Sequence, residues 1–192
     1  RADEREVMGT IQPDFLAGLT NIFTVKDFSL SFMLDTRKGG QILSYSKLNQ
    51  MAKGTGKFTE NRENLIADGV IEDAPGHYVK NTIVIPAQAY YAEAGPWGDI
   101  GETQVIDADY VALRELTLGY NLSSVFKKKD FLKGARLSVV GRNLFYLYRD
   151  PEFKTMGLSP ETAFSATTAA QGYESLNMPT TRSIGINLSF SF

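Results

Sequence analysis

The sequence predicts an all-β fold, namely antiparallel strands belonging to a large transmembrane β-barrel with long extracellular loops. Three observations carry this expectation. Several segments alternate strictly between apolar and small polar residues, as strands with two unlike faces do. The connections between them run short, long, short, long. No stretch resembles an 18-residue apolar run, so any membrane contact is made by strands rather than a helix.

The last segment is the clearest. Ile184, Ile186, Leu188, Phe190 and Phe192 fall on one face, and Ser183, Gly185, Asn187, Ser189 and Ser191 on the other. Membrane barrels place apolar residues toward lipid, polar ones toward the lumen and aromatics at the interface. These five apolar residues are therefore assigned to a strand that takes part in barrel assembly. Upstream, Leu116, Leu118, Tyr120 and Leu122 oppose Glu115, Thr117, Gly119 and Asn121. Likewise Phe28, Leu30, Phe32 and Leu34 oppose Ser29, Ser31, Met33 and Asp35. A weaker strand sets Leu19, Asn21, Phe23 and Val25 against Gly18, Thr20, Ile22 and Thr24. The segment from Arg136 to Tyr148 is rich in β-branched and aromatic residues, but Arg142 and Asn143 mix its faces and its lipid side is not assigned. The expected strands are about 14–25, 28–36, 109–122, 135–148 and 181–192, with external loops of about 37–108 and 149–180.

Lys26-Asp27 reads as a tight hairpin, and Ser123 to Gly134 as a polar turn containing Lys127, Lys128 and Lys129, solvated rather than bound to lipid headgroups. Loops as long as the other two are uncommon in compact soluble domains, whereas membrane barrels have short periplasmic turns and long external loops at opposite ends. Five strands do not close a membrane barrel, for which about eight is the minimum. An open edge in lipid would leave backbone groups unpaired. The chain is therefore expected to be part of a longer polypeptide, or to join strands from a second chain. Its opening, Arg1-Ala2-Asp3-Glu4-Arg5-Glu6, reads as mid-protein sequence without a signal peptide.

Composition narrows function. The 192 residues carry 20 basic and 22 acidic side chains, a net charge of -2, which offers no basic face to nucleic acid. With no Cys, neither disulfides nor Cys-based metal sites can form. Lys53-Gly-Thr-Gly-Lys57 lacks phosphate-loop spacing and reads as a flexible loop. His77 is the only His, and although Asp73 is near, no nucleophile with a local signature accompanies them. Neither a catalytic residue nor a cofactor is expected, and the chain is not read as an enzyme. Asp99, Glu102, Asp107 and Asp109 could offer oxygen ligands to Ca²⁺ but lack EF-hand spacing, so a solvated loop is the preferred reading and no metal is assigned. Tyr90, Tyr91 and Trp97 fall in the long loop. They either pack that loop against its own barrel, the preferred reading, or contact ligand or a partner protein, because such rings give large area at low entropic cost.

Several segments, in order, resemble SusC/RagA-type TonB-dependent transporters. They are Pro13 to Asn21, Asp109 to Tyr120, Leu137 to Phe145, Asp150-Pro151-Glu152, and Pro179 to Phe192. Arg142 stands where that pattern usually has a neutral polar residue. Ala163 to Gly172 has no counterpart, and Gln41 to Ile106 matches poorly. The resemblance implies a barrel of roughly 22 strands, of which this chain supplies the C-terminal ones, with the plug domain outside it. It also implies residence in the outer membrane of a Gram-negative bacterium, a SusD-like surface lipoprotein as partner, and coupling to TonB through an N-terminal part absent here. The implied cargo is an oligosaccharide or peptide. A soluble β-sandwich presenting loops to a ligand, or a passive pore, remains open on the residues alone.

Overall fold

The computed structural model describes residues 6–94, 101–123, 134–161 and 170–192. Two long strands come first, β1 (Phe15–Val25) and β2 (Phe28–Lys38). The first long loop then folds into β3 (Gln41–Ser44), α1 (Tyr45–Lys53), a 3-10 turn over Lys57–Thr59, and the short strands β4 (Leu65–Ile66), β5 (Val70–Ala74), β6 (His77–Lys80) and β7 (Val84–Ile85). It ends with α2 (Ala87–Ala94), a second 3-10 turn and β8 (Val105–Asp107). The wall resumes with β9 (Tyr110–Asn121) and β10 (Gly134–Arg149). The second long loop carries α3 (Pro151–Met156) and β11 (Tyr173–Glu174) before the final strand β12 (Ser183–Ser191).

The five long strands form one antiparallel sheet, in the order β1-β2-β9-β10-β12. This is an up-and-down meander, each long strand paired with the next one along the chain. The all-β expectation therefore holds, with the sheet open rather than closed within this chain. The expected second strand ended near residue 36, and the observed one runs on to Lys38. Lys26 turns the first hairpin with φ at 54°, in the left-handed region.

Register explains the alternation. Phe23, Leu30, Leu118, Val139 and Ile186 stand abreast across all five strands. So do Val25, Phe28, Tyr120, Leu137 and Leu188. One residue along, Thr24, Ser29, Gly119, Ser138 and Asn187 make a row on the opposite face. The sheet thus has one mainly apolar face, broken by Asn21 opposite Phe32, and one mainly small or polar face, interrupted by Leu16, Ile22, Met33 and Val140. The apolar face is uncovered, with Leu118 at 52% and Ile186 at 72% exposure.

The buried core lies instead at the loop end. Ile42 of β3, Ile106 of β8, Ala108, Phe153 of α3 and Leu158 form one cluster. Phe153 is fully buried, and burying such a ring is worth roughly 1.5–3 kcal/mol. Both long loops contribute, through a three-stranded sheet ordered β11-β3-β8 in which β11 runs parallel to β3. The regions expected as plain loops therefore hold a small folded cap. A Gly pair links wall to cap, Gly39 and Gly40 having φ of 79° and 81°. A Cβ on Gly40 would stand 2.9 Å from the Ile11 carbonyl oxygen, so a side chain there meets both strain and backbone.

Candidate functional site

A β-bulge builds the most elaborate polar cluster in the described residues. Met33 pairs with Glu115 but Leu34 pairs with Leu113, leaving Arg114 as the extra residue of β9. Opposite it, the β10 pairing jumps from Arg142 to Phe145, and Asn143 takes φ of 49°. Asn tolerates this left-handed conformation better than most residues, because its short side chain can bond locally. The bulge shifts the phase of β9. Below it the even positions Leu116 and Leu118 lie on the apolar face, and above it the odd positions Leu113 and Val111 pair with Leu34 and Thr36.

Arg114 is thereby delivered to the polar side. Its Nε and Nη2 donate to Asp35 Oδ2 at 2.8 and 2.6 Å. Its Nη1 donates to Glu161 Oε2 at 2.8 Å, and its Nη2 bonds Glu161 Oε1 as well. The Tyr146 hydroxyl donates to the same Glu161 Oε2 at 2.5 Å and contacts Ser159 Oγ at 2.8 Å. Tyr110 closes the cluster, its hydroxyl donating to Asp35 Oδ2 at 3.2 Å and its ring lying 5.4 Å from the Arg114 guanidinium carbon. The guanidinium is thus held between two carboxylates and against an aromatic face, all three groups being largely shielded from water. Planar, fork-shaped Arg suits such a paired arrangement and Lys does not.

Two further anchors tie the cap down. Ser44 Oγ and Ser46 Oγ each donate to the fully buried Glu174 carboxylate at 2.6 Å, and Ser44 Oγ also caps α1 by accepting from Lys47 N. Asp109 accepts from Gly39 N at 2.6 Å and pairs with Lys38. Burial alone would raise the Asp109 carboxyl, but the hydrogen bonds from Lys38 and Gly39 outweigh it and hold the group below its ordinary value.

The residues singled out in the sequence are placed as follows. Tyr91 donates to the Phe58 carbonyl at 2.9 Å and Tyr90 meets Tyr91 edge-on at 5.2 Å, so both pack within the first long loop. Trp97, Asp99 and Lys127 to Lys129 lie outside the described residues. Asp109 corrects an expectation. It is buried and bonded at the junction of cap and wall rather than solvated, because the Gly39 turn brings an amide and Lys38 to it. Asp107 accepts from Gln41 Nε2 at 3.1 Å. Asp73 and His77 pair at 2.5 Å on an exposed hairpin, β5–β6. In Asp150-Pro151-Glu152 the Asp150 carboxylate caps α3, accepting from Glu152 N at 2.8 Å, with Pro at the first helical position. Arg142 stands across from Glu115 and donates to it at 3.1 Å, which accounts for a charge in that strand. Ile184, Ile186, Leu188 and Phe190 all lie on β12 and are exposed, as is Phe192 just past its end.

Sequence reasoning missed the cluster around Arg114. A signal was present: in Val111-Ala112-Leu113-Arg114-Glu115-Leu116-Thr117-Leu118 the apolar phase switches from odd to even at the adjacent charges, as a bulge requires.

No family model matches the chain. It is 27% identical over 195 residues to TonB-dependent receptor P3 of Formosa agariphila, covering 97% of this chain. It is 23% identical to TonB-dependent receptor P26 of the same organism, over 99% of its length. The chain spans 17% and 18% of the lengths of these two relatives. In fold it is similar to the RagAB peptide importer in its closed-closed state, with a TM-score of 0.61 at 15% identity, over 97% of this chain and 18% of that one. Over nearly its whole length, this chain bears out the resemblance to SusC/RagA-type TonB-dependent receptors that its motifs carry.

Proposed function

We propose that this chain is the C-terminal part of the barrel wall, with its external cap, of a TonB-dependent transporter in the outer membrane of a Gram-negative bacterium. The transporter imports an oligosaccharide or peptide together with a SusD-like surface lipoprotein. TonB engages a part of the polypeptide outside this chain, and the remaining strands of the barrel pair with the open edges at β1 and β12. The observation that carries the reading is the five-strand register, which presents one mainly apolar, uncovered face as lipid demands, with both long loops at one end. A soluble sandwich would hide that face under a second sheet, whereas Leu19, Phe23 and Leu118 stay half exposed or more. The relatives are named as receptors and an importer, and no catalytic role is proposed.

The test is genetic and biochemical together. The encoding gene is deleted in its host, and growth is followed on defined oligosaccharides and peptides. The native protein is extracted from outer membranes, weighed intact and checked for a co-purifying lipoprotein. Loss of growth on one such nutrient, dependence on TonB, and a mass several times that of this chain are expected. A soluble protein of this chain's own mass would overturn the reading, and uptake unaffected by loss of TonB would leave only a passive pore.

A further inference from the structure

We infer that Arg114, with the hydroxyl of Tyr146, forms a carboxylate-binding site on the polar face of the wall, that Glu161 of the chain occupies it as an internal stand-in, and that a carboxylate on the transported molecule takes Glu161's place. The inference rests on the transporter reading above and deepens it by naming a ligand chemistry.

The geometry is that of a receptor for one carboxylate. Both Glu161 oxygens are engaged, Oε1 by Arg114 Nη2 and Oε2 by Arg114 Nη1 and the Tyr146 hydroxyl. Two parallel N–H donors and a phenol make a fork that fits a free carboxylate as readily as a Glu side chain. The fork is set independently of its occupant. Asp35 grips Arg114 Nε and Nη2 from the other side, and the Tyr110 ring lies against the guanidinium. The Tyr110 and Tyr146 rings meet edge-on at 5.9 Å.

Charge also favours exchange over addition. One guanidinium faces two carboxylates, so a second ligand anion would be repelled while Glu161 stays. Once Glu161 leaves, Arg114 and Asp35 cancel, and an incoming carboxylate restores the original arrangement. Departure needs no unfolding. Leu158, Ser159 and Pro160 are buried and hold the backbone up to the site, and the Arg149 guanidinium binds the Leu158 carbonyl at 2.6 Å. Glu161 is only partly buried, so rotation of its side chain clears the fork. An internal occupant lowers apparent affinity by the fraction of time the fork is empty.

The chemistry is shared by a peptide C-terminus and a uronic-acid sugar, and the test separates them. Binding of trialanine and trialanine amide, and of trigalacturonate and its methyl ester, is measured by calorimetry on the detergent-purified full-length protein. Wild type, Glu161→Gln and Arg114→Gln are compared. At least one acid is expected to bind Glu161→Gln about tenfold tighter than wild type, its neutral derivative to be insensitive to that change, and Arg114→Gln to lose the preference for the acid. Whichever acid responds identifies the source. Equal binding of acid and neutral forms to Glu161→Gln in both pairs overturns the inference, as does failure of both acids to bind that variant at millimolar concentration. Neither result touches the transporter reading, which stands or falls on membrane location and TonB-dependent growth.

Discussion

Ser44 and Glu174 are 130 residues apart in the chain, yet both are fully buried and the Ser44 hydroxyl donates to the Glu174 carboxylate at 2.6 Å. Together with Ser46 this carboxylate joins the first long loop to the second. Replacing Glu174 with Ala strands two buried hydroxyls and an amide, at a cost of roughly 2–3 kcal/mol. Hydrogen exchange should rise at residues 42–48 and 172–176 while the wall strands keep their protection. Glu174→Gln, which retains one acceptor, should fall between the two. Unchanged exchange in Glu174→Ala would remove this carboxylate from the account of the cap.

Asn143 carries a prediction about backbone conformation. Its φ of 49° is unfavourable for a residue with an ordinary side chain, so Asn143→Ala should destabilise the sheet by about 1 kcal/mol and Asn143→Gly by much less. Urea unfolding of the folded barrel in detergent micelles measures both. Equal loss in the two variants would point to the Asn143 side chain rather than to its backbone.

The two faces of the sheet can be told apart by a matched pair of substitutions. Leu118 lies on the apolar face, and its neighbour Thr117 on the polar one. Leu118→Arg should cost roughly 2–4 kcal/mol if it sits near the bilayer midplane, while Thr117→Arg should be far milder. Folding into lipid vesicles, followed by the gel shift of folded against heated protein, reads the difference. A reversed order would exchange the lipid and lumenal sides.

For the terminal strand, Phe192→Ala or removal of Phe190 to Phe192 should impair barrel assembly and lower the amount of protein in the outer membrane, as measured by quantitative blotting of membrane fractions. Normal levels of the truncated protein would dismiss the role given to these aromatics.

Asp109 makes the junction between wall and cap pH-dependent. Its carboxyl is held below the ordinary value of 3.8 in the folded protein. A depressed acid contributes stability that is present above the unfolded value and is lost as pH falls through the folded one. Exchange at Gly39 and Gly40, taken relative to the intrinsic rate at each pH, should therefore be flat from neutral pH down to the region of the ordinary value, then rise below it. In Asp109→Asn that acid-induced rise should disappear. A rise beginning well above pH 5 would assign the effect to another group.

Much of the wall was legible because a two-faced strand writes its period directly into the sequence. Leu188 and Asn187 alternate in the chain as they do across the sheet. The cap was not legible. Its core joins Ile42 to Phe153 and Leu158, contacts between distant segments that leave no local period. Asp109 was misread because its partners, Lys38 and the Gly39 amide, arrive from some seventy positions away. The mixed faces of Arg136 to Tyr148 have a simple cause in two irregularities, one at Asn143 and one between Tyr146 and Tyr148. The Arg114 cluster is not legible in uninterrupted alternation, because the site sits where the bulge breaks it.

The parallel pairing of β11 with β3 has a consequence for biogenesis. β3 leaves the end of one wall strand, and β11 arrives only after two more have been made. The cap can therefore close only when β9 and β10 already hold its two halves in reach, since contacts so distant along the chain form late. A chain interrupted after Arg149 would keep four of the wall strands but lack Phe153, Leu158 and Glu174. The parts of the first long loop that β11 and Phe153 cover would then stay open to proteases, so cleavage there would report a second loop that never shut.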